Sequence, residues 1–205
     1  MRKLILIRHG LTDWNATGRF QGHSDISLSS EGRTQAEALA ARFSEPDLRP
    51  DLVFSSPLSR ALETARLAFP EQAIQTDDRL KELHFGLFEG QTLAENEAHP
   101  AWDTWYADPF KRSAPQGESY EMLRKRAVNW LKDLPKLERI AAVAHSGTIQ
   151  MLVSHVLGVE RPRWRKRIFL RHSSLSVLIF KGEEIVVERL NDDRHLKTSF
   201  YPFKD

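Results

Sequence analysis

Two short runs of apolar residues, without polar alternation, mark the hydrophobic pattern of this chain. They are residues 4–7 (LILI) and 140–144 (IAAVA). Uninterrupted apolar runs of this length are typical of strands covered on both faces in a parallel sheet. Each run leads into a polar group that contains a histidine, residues 8–10 (RHG) and 145–147 (HSG). The pattern therefore predicts two buried strands with histidines at their carboxyl ends. Residues 51–54 (DLVF) predict a further short strand.

Four further segments show the period of an amphipathic helix, in which apolar residues recur at intervals of three and four. Ser29 or Ser30 can cap the first helix, and Ser56 and Pro57 suit the N-cap and the first position of the second. This start places Arg60 in the first turn, where a helix N-terminus favours anions. The four stripes consist of Ala36, Leu39, Ala40 and Phe43; Leu58, Ala61, Leu62, Ala65 and Phe69; Leu123, Ala127, Trp130, Leu131 and Leu134; and Ile149, Leu152, Val153 and Val156.

Residues 175–180 and 185–190 predict a hairpin near the end of the chain. Strands that alternate with helices predict an α/β fold, a three-layer α/β/α sandwich around a mostly parallel sheet with an antiparallel edge. In such folds ligands bind beyond the carboxyl ends of the strands. We therefore expect His9, His145 and Arg60 to meet at one edge of the sheet.

The length of 205 residues fits one domain over residues 1–205. Residues 100–118 combine three prolines with four aromatic residues and show no helical period. They predict a lid-like insertion at about 84–118, which either walls a substrate or packs only its own aromatic residues.

The absence of cysteine excludes disulfides, cysteine metal ligands and thiol nucleophiles, and it fits a cytoplasmic protein. No apolar run is long enough to cross a membrane. The net charge is only +2, although residues 161–167 (RPRWRKR) are rich in cations. Because no nucleic-acid module accompanies them, we interpret them as a solvated segment rather than a site for nucleic acid.

Two strand-end histidines, two arginines and a glutamate need a common explanation. A divalent metal could use His9, His145 and Glu82, but Arg8 and Arg60 beside it would repel the ion. A phosphate group fits better, because arginine presents paired donors to phosphoryl oxygens. The same cations are expected to lower the pKa of one histidine, and a neutral imidazole is a nucleophile.

Four segments together resemble the histidine phosphatase superfamily, in its phosphoglycerate mutase-like branch. Each is weak alone, but the four occur in the family's order, and the resemblance extends from residue 4 to about residue 180. The matching segments are Leu6-Ile-Arg8-His9-Gly10 with Thr12-Asp-Trp14-Asn15; Ser55-Ser-Pro-Leu-Ser-Arg60-Ala; Glu82-Leu-His-Phe-Gly86 with Phe88-Glu-Gly90; and Ala144-His145-Ser-Gly147.

The resemblance implies that His9 is a transiently phosphorylated nucleophile. It further implies that Arg8, Arg60 and His145 bind the transferring phosphoryl group and that Glu82 donates a proton to the leaving oxygen. No cofactor and no metal are expected.

The resemblance also implies a set of substrate-binding residues. Asn15 matches a phosphate-contacting asparagine, and Gln21 and Gly22 match the loop that touches the rest of the substrate. Beside His145, we expect Ser146 and Gly147 to contribute to substrate binding.

The chain departs from the family at positions that concern the leaving group. His23 stands where many members have tryptophan, Ile26 stands where proline is common, and His84 follows the acid segment directly. Together with the aromatic residues over 102–110, these histidines either read the leaving group or only pack.

Three functions are consistent with these residues. A metal-independent phosphatase acting on a small phosphorylated metabolite is favoured, with no nucleic-acid or membrane partner, and a homodimer is left open. A mutase is the alternative, although the family's mutases have longer inserts between the acid and the second histidine; Lys111 and Arg112 could hold a second anionic group of its substrate. A non-catalytic phosphate- or protein-binding module is the third possibility, which an intact nucleophile and proton donor argue against.

Overall fold

A computed structural model describes residues 1–159 and 168–196. Its six described strands are β1 (Lys3–Arg8), β2 (Leu52–Ser55), β3 (Ile74–Thr76), β4 (Arg139–Ala144), β5 (Leu175–Lys181) and β6 (Glu184–Asp192). They form one sheet in the order β3-β2-β4-β1-β5-β6. The four strands β3, β2, β4 and β1 run parallel, β5 pairs antiparallel with β1, and β6 pairs antiparallel with β5. The predicted mostly parallel sheet with an antiparallel edge is confirmed.

The described helices are α1 (Asp13–Ala16), α2 (Ser30–Phe43), α3 (Ser59–Ala68), α4 (Leu93–Glu97), α5 (Trp102–Ala107), α6 (Tyr120–Lys132) and α7 (Ser146–Val156). The four that the apolar stripes predict are α2, α3, α6 and α7. Three short helices, α1, α4 and α5, and the strand β3 were not predicted, because three to six residues are too few to show a period. Two 3₁₀ turns cover Asp78–Leu80 and Gly86–Phe88.

The central strand β1 explains the uninterrupted apolar run at the start of the chain. It lies between β4 and β5, and all six of its residues are buried. Leu4 and Leu6 pack in one core cluster with α6 and α7, whereas Ile5 and Ile7 pack in a second with α2 and α3. Both faces of the sheet are thus covered by helices, which confirms the three-layer sandwich. Each such side chain contributes about 1.5–3 kcal/mol by its burial.

The predicted start of α3 is wrong by two residues. The helix begins at Ser59 rather than at Pro57, and its N-cap Leu58 has no capping side chain. Asp25 caps it from another loop, because its carboxylate accepts hydrogen bonds from Ser59 N (2.6 Å) and Oγ (2.7 Å). The hydroxyl of Ser56 accepts from Leu58 N (3.3 Å) just before the helix, and it also bonds to a histidine described below. Arg60 still lies in the first turn of α3, as predicted. Of the two serines predicted to cap α2, the structure has Ser29 at the N-cap position.

A third apolar cluster forms around the aromatic residues of 102–110. Trp102 and Trp105 are buried on α5, a helix that the sequence did not predict, and they pack with Phe88, Leu123 and Met151. Residues 161–167, the basic stretch, lie outside the described residues. Within the described ranges, no helix has both the length and the apolar character that crossing a membrane requires.

Candidate active site

A cavity of about 300 Å³ opens beyond the carboxyl end of β1. Side chains reach it from the end of β1, from the loop around α1, from the first turn of α3 and from the segment after Asp78–Leu80. Seven of the ten residues predicted for the site line it, namely Arg8, His9, Asn15, Gln21, Gly22, Arg60 and Glu82. Among the described residues, the lining also includes four that were not predicted, Gly18, Arg19, Phe20 and Phe85.

His9 is held in one defined orientation at the end of β1. Its backbone N–H donates to the carbonyl of Ala144 (3.0 Å), which ties the ends of β1 and β4 together. Its Nδ1 lies 2.7 Å from the carbonyl of Gly10. A carbonyl only accepts, so Nδ1 carries the hydrogen and Nε2 keeps its lone pair. The ring is therefore prepared to act as a nucleophile through Nε2.

Burial keeps this imidazole neutral. His9 is only 3 % exposed, and the loss of hydration is the largest cause that lowers its pKa well below the usual 6.5. Arg60, Arg8 and His172 lower the pKa further, in that order. The predicted direction is confirmed, although desolvation contributes more than the neighbouring cations.

Two buried arginines flank His9, and both are anchored by their terminal nitrogens. Arg60 donates from Nη1 to the carbonyl of Ser24 (2.9 Å) and from Nη2 to that of Gly22 (2.7 Å). Arg8 donates from Nη1 to the carbonyl of Leu170 and from Nη2 to Nε2 of His172 (2.7 Å). Within the part of the chain that the structure describes, the Nε atoms of both arginines are buried without a hydrogen-bond partner.

The positive charges of Arg8 and Arg60 favour the binding of an anion. Burial lowers the pKa of Arg8 and of Arg60 to about 10, so both remain cationic at neutral pH. Neither forms a salt bridge among the described residues. Buried cations with unsatisfied N–H groups are costly unless a ligand pairs with them. A phosphoryl group supplies the missing charge and acceptors.

His145 begins α7 as its N-cap and lies beside His9, with ring centroids 5.1 Å apart. Its Nε2 is 2.8 Å from the hydroxyl of Ser56. Its Nδ1 is buried and has no partner among the described atoms. Burial lowers the pKa of His145, and Arg60 lowers it further. The expectation that His9, His145 and Arg60 meet at one sheet edge is confirmed, although His145 does not appear in the described lining of the cavity.

Glu82 faces the cavity with its carboxylate fixed by two backbone N–H groups. Oε1 accepts from Leu83 N (2.8 Å), and Oε2 accepts from Gly147 N (3.0 Å) in the first turn of α7. A Cβ at position 147 would overlap with this carboxylate, so only glycine allows the approach. The structure thus places Gly147 against the acid. Ser146 is half-buried in the same turn and does not appear in the described lining.

The loop around α1 supplies three of the predicted residues. Asn15 Oδ1 accepts from Thr12 Oγ1 (2.9 Å), which orients the amide and leaves its Nδ2 side for a ligand. Gln21 is buried, and its Oε1 has no partner within residues 1–159 and 168–196. Gly22 has a φ of 53°, and a Cβ there would overlap with the Glu89 carboxylate. This carboxylate bonds to the backbone of residues 23, 24 and 85 and so joins two walls of the cavity.

His172 is the principal residue that sequence reasoning missed. It is 7 % exposed and accepts from Arg8, and its ring centroid lies 6.0 Å from that of His9. Burial lowers its pKa well below 6.5, and the charge of Arg8 adds to the effect. The sequence contained a usable signal: β5 was predicted antiparallel, so the residues before it lie at the same edge as the end of β1.

The sequence left open whether His23 and His84 contact the leaving group or only pack. His23 and His84 stack on each other, with centroids 4.6 Å apart, but do not appear in the described lining. Instead Phe20 and Phe85 face it in an edge-to-face pair with centroids 4.9 Å apart. His23 bonds through Nε2 to the carbonyl of Glu82 (2.8 Å), so it supports the acid segment.

The two cations proposed for a mutase substrate lie elsewhere. A cleft of about 850 Å³ runs along α6 and includes Lys111, which forms an ion pair with Glu121 (2.9 Å). Arg112 donates to the carbonyl of Thr104 (2.9 Å). The described lining of the cavity that holds His9 includes neither of them, so the geometry gives no support to that role.

Comparison with known proteins finds relatives of this chain in one family. The model of the histidine phosphatase superfamily (branch 1) matches residues 4–193. A phosphoglycerate mutase-like protein 4 of Arabidopsis thaliana is 32 % identical over 207 residues, which cover 95 % of this chain and 87 % of the relative. A metal-independent phosphoserine phosphatase of the same plant is 30 % identical, with 96 % and 84 % covered. A crystal structure of a phosphoserine phosphatase mutant from Entamoeba histolytica, in complex with phosphoserine, superposes with a TM-score of 0.85 at 29 % identity, covering 96 % of this chain and 100 % of that one.

Proposed function

The chain belongs to the histidine phosphatase superfamily (branch 1), and from this premise we propose that it is a metal-independent phosphatase that hydrolyses small phosphomonoesters through a phosphohistidine on His9. One observation carries the proposal: the Nδ1–H of His9 is bound to the Gly10 carbonyl, which leaves an unprotonated Nε2 for attack on phosphorus. Arg8 and Arg60 flank it with charge that a phosphoryl group requires.

In the first step, the lone pair of His9 Nε2 forms a bond to phosphorus while the bond from phosphorus to the leaving oxygen breaks. Protonated Glu82 gives its proton to that oxygen, so a neutral alcohol departs. Arg8, Arg60 and His145 stabilise the charge on the non-bridging oxygens. The products are the alcohol, the phosphohistidine and the Glu82 carboxylate.

In the second step, a water molecule attacks phosphorus and the bond to His9 Nε2 breaks. The Glu82 carboxylate takes a proton from the water, which regenerates the acid. The electron pair of the broken bond returns to Nε2, so His9 is again neutral. Orthophosphate leaves, and no metal ion enters either step.

The substrate class is a small phosphomonoester, in keeping with a cavity of about 300 Å³. We assign Asn15 and Gln21 to contact with the phosphoryl group and its neighbourhood, and the Phe20 and Phe85 pair to contact with the leaving group. Ser146 keeps its predicted part in substrate binding, while we assign Gly147 to the orientation of Glu82. Phosphoserine is the first substrate to test, because two of the relatives described above are phosphoserine phosphatases.

Mutase activity is the second candidate, since one relative is named as phosphoglycerate mutase-like. It would return the phosphoryl group from His9 to another hydroxyl of the substrate rather than to water. Assays with 3-phosphoglycerate that follow both free phosphate and the isomeric ester decide between the two fates of the phosphohistidine.

We further propose that the chain acts in the cytoplasm. We also propose that it forms a single domain, in which residues at about 84–118 form a lid-like insertion. The lack of cysteine supports the compartment. Localisation of a tagged chain tests the compartment, and light scattering after size exclusion distinguishes a monomer from the homodimer that the sequence leaves open.

The decisive experiment is phosphate release in the presence of a chelator, with a panel of phosphomonoesters that includes phosphoserine. Wild-type protein is expected to remain active and to carry an acid-labile, base-stable phosphoryl label when quenched during turnover. Loss of activity on chelation, or a label on a side chain other than His9, would refute the mechanism.

A further inference from the structure

We propose that Arg126 is a positioning residue for Glu82, which it holds through the backbone of the acid segment, residues 79–82, without touching the substrate. The inference rests on the proposed function of Glu82 as proton donor. Nothing in the sequence pattern singled out Arg126, which lies among several cations on α6.

Every N–H of the Arg126 guanidinium has an acceptor. Nε donates to Glu118 Oε1 (3.0 Å), and Nη2 donates to Glu118 Oε2 (2.9 Å) and to the carbonyl of Glu82 (2.6 Å). Nη1 donates to the carbonyls of Arg79 (2.9 Å) and Lys81 (2.6 Å). Arginine has five such hydrogens, so the group is saturated.

The three carbonyls belong to a stretch that has little regular structure of its own. The 3₁₀ turn ends at Leu80, and residues 81–85 lie outside helices and strands. Their peptide groups need partners from elsewhere in the fold. Arg126 serves the carbonyls of residues 79, 81 and 82. Thr148 Oγ1 (2.8 Å) adds a second bond to the carbonyl of Lys81, and His23 Nε2 adds one to that of Glu82.

Two helices therefore hold the acid from two sides. Arg126 on α6 fixes the carbonyl of Glu82, and Gly147 at the start of α7 fixes its carboxylate at 3.0 Å. A backbone shift of about 1 Å would break the second bond, because a hydrogen bond fails beyond about 3.5 Å. The proton would then no longer be directed at the leaving oxygen.

A role in binding the phosphoryl group does not fit these contacts. Arg126 is absent from the described lining of the cavity, its side chain is 17 % exposed, and Glu118 already neutralises it. Arg8 and Arg60, by contrast, line the cavity, and neither forms a salt bridge among the described residues. Arg126 thus differs from them in what it can offer a ligand.

The test is the dependence of kcat/KM on the leaving group, because a poor leaving group needs the proton more than a good one. Glu82→Gln, Arg126→Ala and Arg126→Lys are compared with wild type on p-nitrophenyl phosphate, phenyl phosphate and an alkyl phosphate. Lys125→Ala, which removes an exposed cation from the same helix, is the matched control. Inhibition by orthophosphate reports the integrity of the Arg8 and Arg60 site.

We expect Glu82→Gln to lose about 10²–10⁴ in kcat/KM on the alkyl ester and far less on the nitrophenyl ester. Arg126→Ala is expected to show the same selectivity, with about 100-fold loss on the alkyl ester. Arg126→Lys keeps the charge but satisfies at most three acceptors, so its loss of kcat/KM on the alkyl ester should lie between those of wild type and Arg126→Ala. Orthophosphate inhibition should stay within about twofold of wild type in all variants, and Lys125→Ala should match wild type throughout.

An equal loss on all three esters in the Arg126 variants, with Glu82→Gln still selective, would overturn this inference and leave the proposed function intact. If Glu82→Gln itself shows no selectivity, the proton-donor assignment fails. Should Arg126→Ala not fold, Arg126→Lys decides, and wild-type kinetics in that variant would also overturn the inference.

Discussion

The ends of β1 and β4 look alike in sequence and differ in chemistry. Each is a buried apolar strand followed by a histidine and a nearby glycine. After His9 the chain enters a loop whose Gly10 carbonyl binds Nδ1 and leaves Nε2 for reaction. After His145 a helix begins at once, and Nε2 faces Ser56, while Nδ1 has no partner among the described residues. The backbone conformation beyond each strand thus determines which nitrogen of its histidine is available.

The largest expected effect separates the two histidines. His9→Ala should reduce kcat by about 10⁴–10⁶ and abolish the phosphoryl label, because the nucleophile is gone. His145→Ala should cost about 10²–10³, the value of one transition-state donor, and should still form the label. Quench-flow labelling and phosphate release measure both. Equal losses with no label in either variant would contradict the division of roles.

The stability of the fold in acid tests a property that both strand-end histidines share with His172, namely a buried neutral ring. His9, His145 and His172 are buried with pKa values well below 6.5, so the unfolded chain binds protons that the folded chain does not. The contribution of these neutral rings to the free energy of unfolding is therefore fully present above pH 6.5 and is lost as the pH falls below it. We therefore expect the wild-type chain to be less stable toward unfolding at pH 5.5 than at pH 7.5.

Denaturant titrations between pH 7.5 and pH 5.5 measure this loss. His172→Asn should lose less stability than wild type over the same range, because one titrating group is removed. A wild-type free energy of unfolding that does not change with pH would show that these rings are not kept neutral in the fold.

The two glycines sharpen the contrast between the strand ends. A Cβ at Gly147 would overlap with the Glu82 carboxylate, whereas a Cβ at Gly10 would overlap with the backbone carbonyl of Gly32. Gly147→Ala should therefore cut kcat by about 10–100-fold with a small loss of stability. Gly10→Ala should destabilise the fold by about 1–3 kcal/mol, since backbone must move. Thermal melts beside activity assays separate the two, and the reverse pattern would refute the assignment.

The smallest expected effect concerns the partner of His145. Ser56→Ala removes the hydroxyl 2.8 Å from Nε2, which should lower kcat about 3–10-fold and stability by about 1 kcal/mol. Val53→Ala, a core change on β2, the strand that ends directly before Ser56, is the control for stability loss alone. If both variants lose the same activity at equal stability, Ser56 does not orient His145.

Much of the fold was predictable because its signals are local. The runs at 4–7 and 140–144 are apolar throughout because helices cover both faces of their strands, and the four long helices show their buried stripes in a single window. The short elements failed for the same reason, since β3 and α5 are too brief to show a period. The start of α3 failed because Asp25, 34 residues before Ser59, caps it.

The sequence by itself determined the mostly parallel sheet, the four long helices on its two faces and the meeting of His9, His145 and Arg60 at one edge, because neighbouring residues encode periodicity, burial and strand ends. Only the tertiary structure decided what holds Arg8 and what holds the acid. Arg8 meets His172 across 164 positions, Gly147 meets Glu82 across 65, and Arg126 meets Glu82 across 44. Such contacts depend on how helices and strands pack, and no local pattern of residues records them.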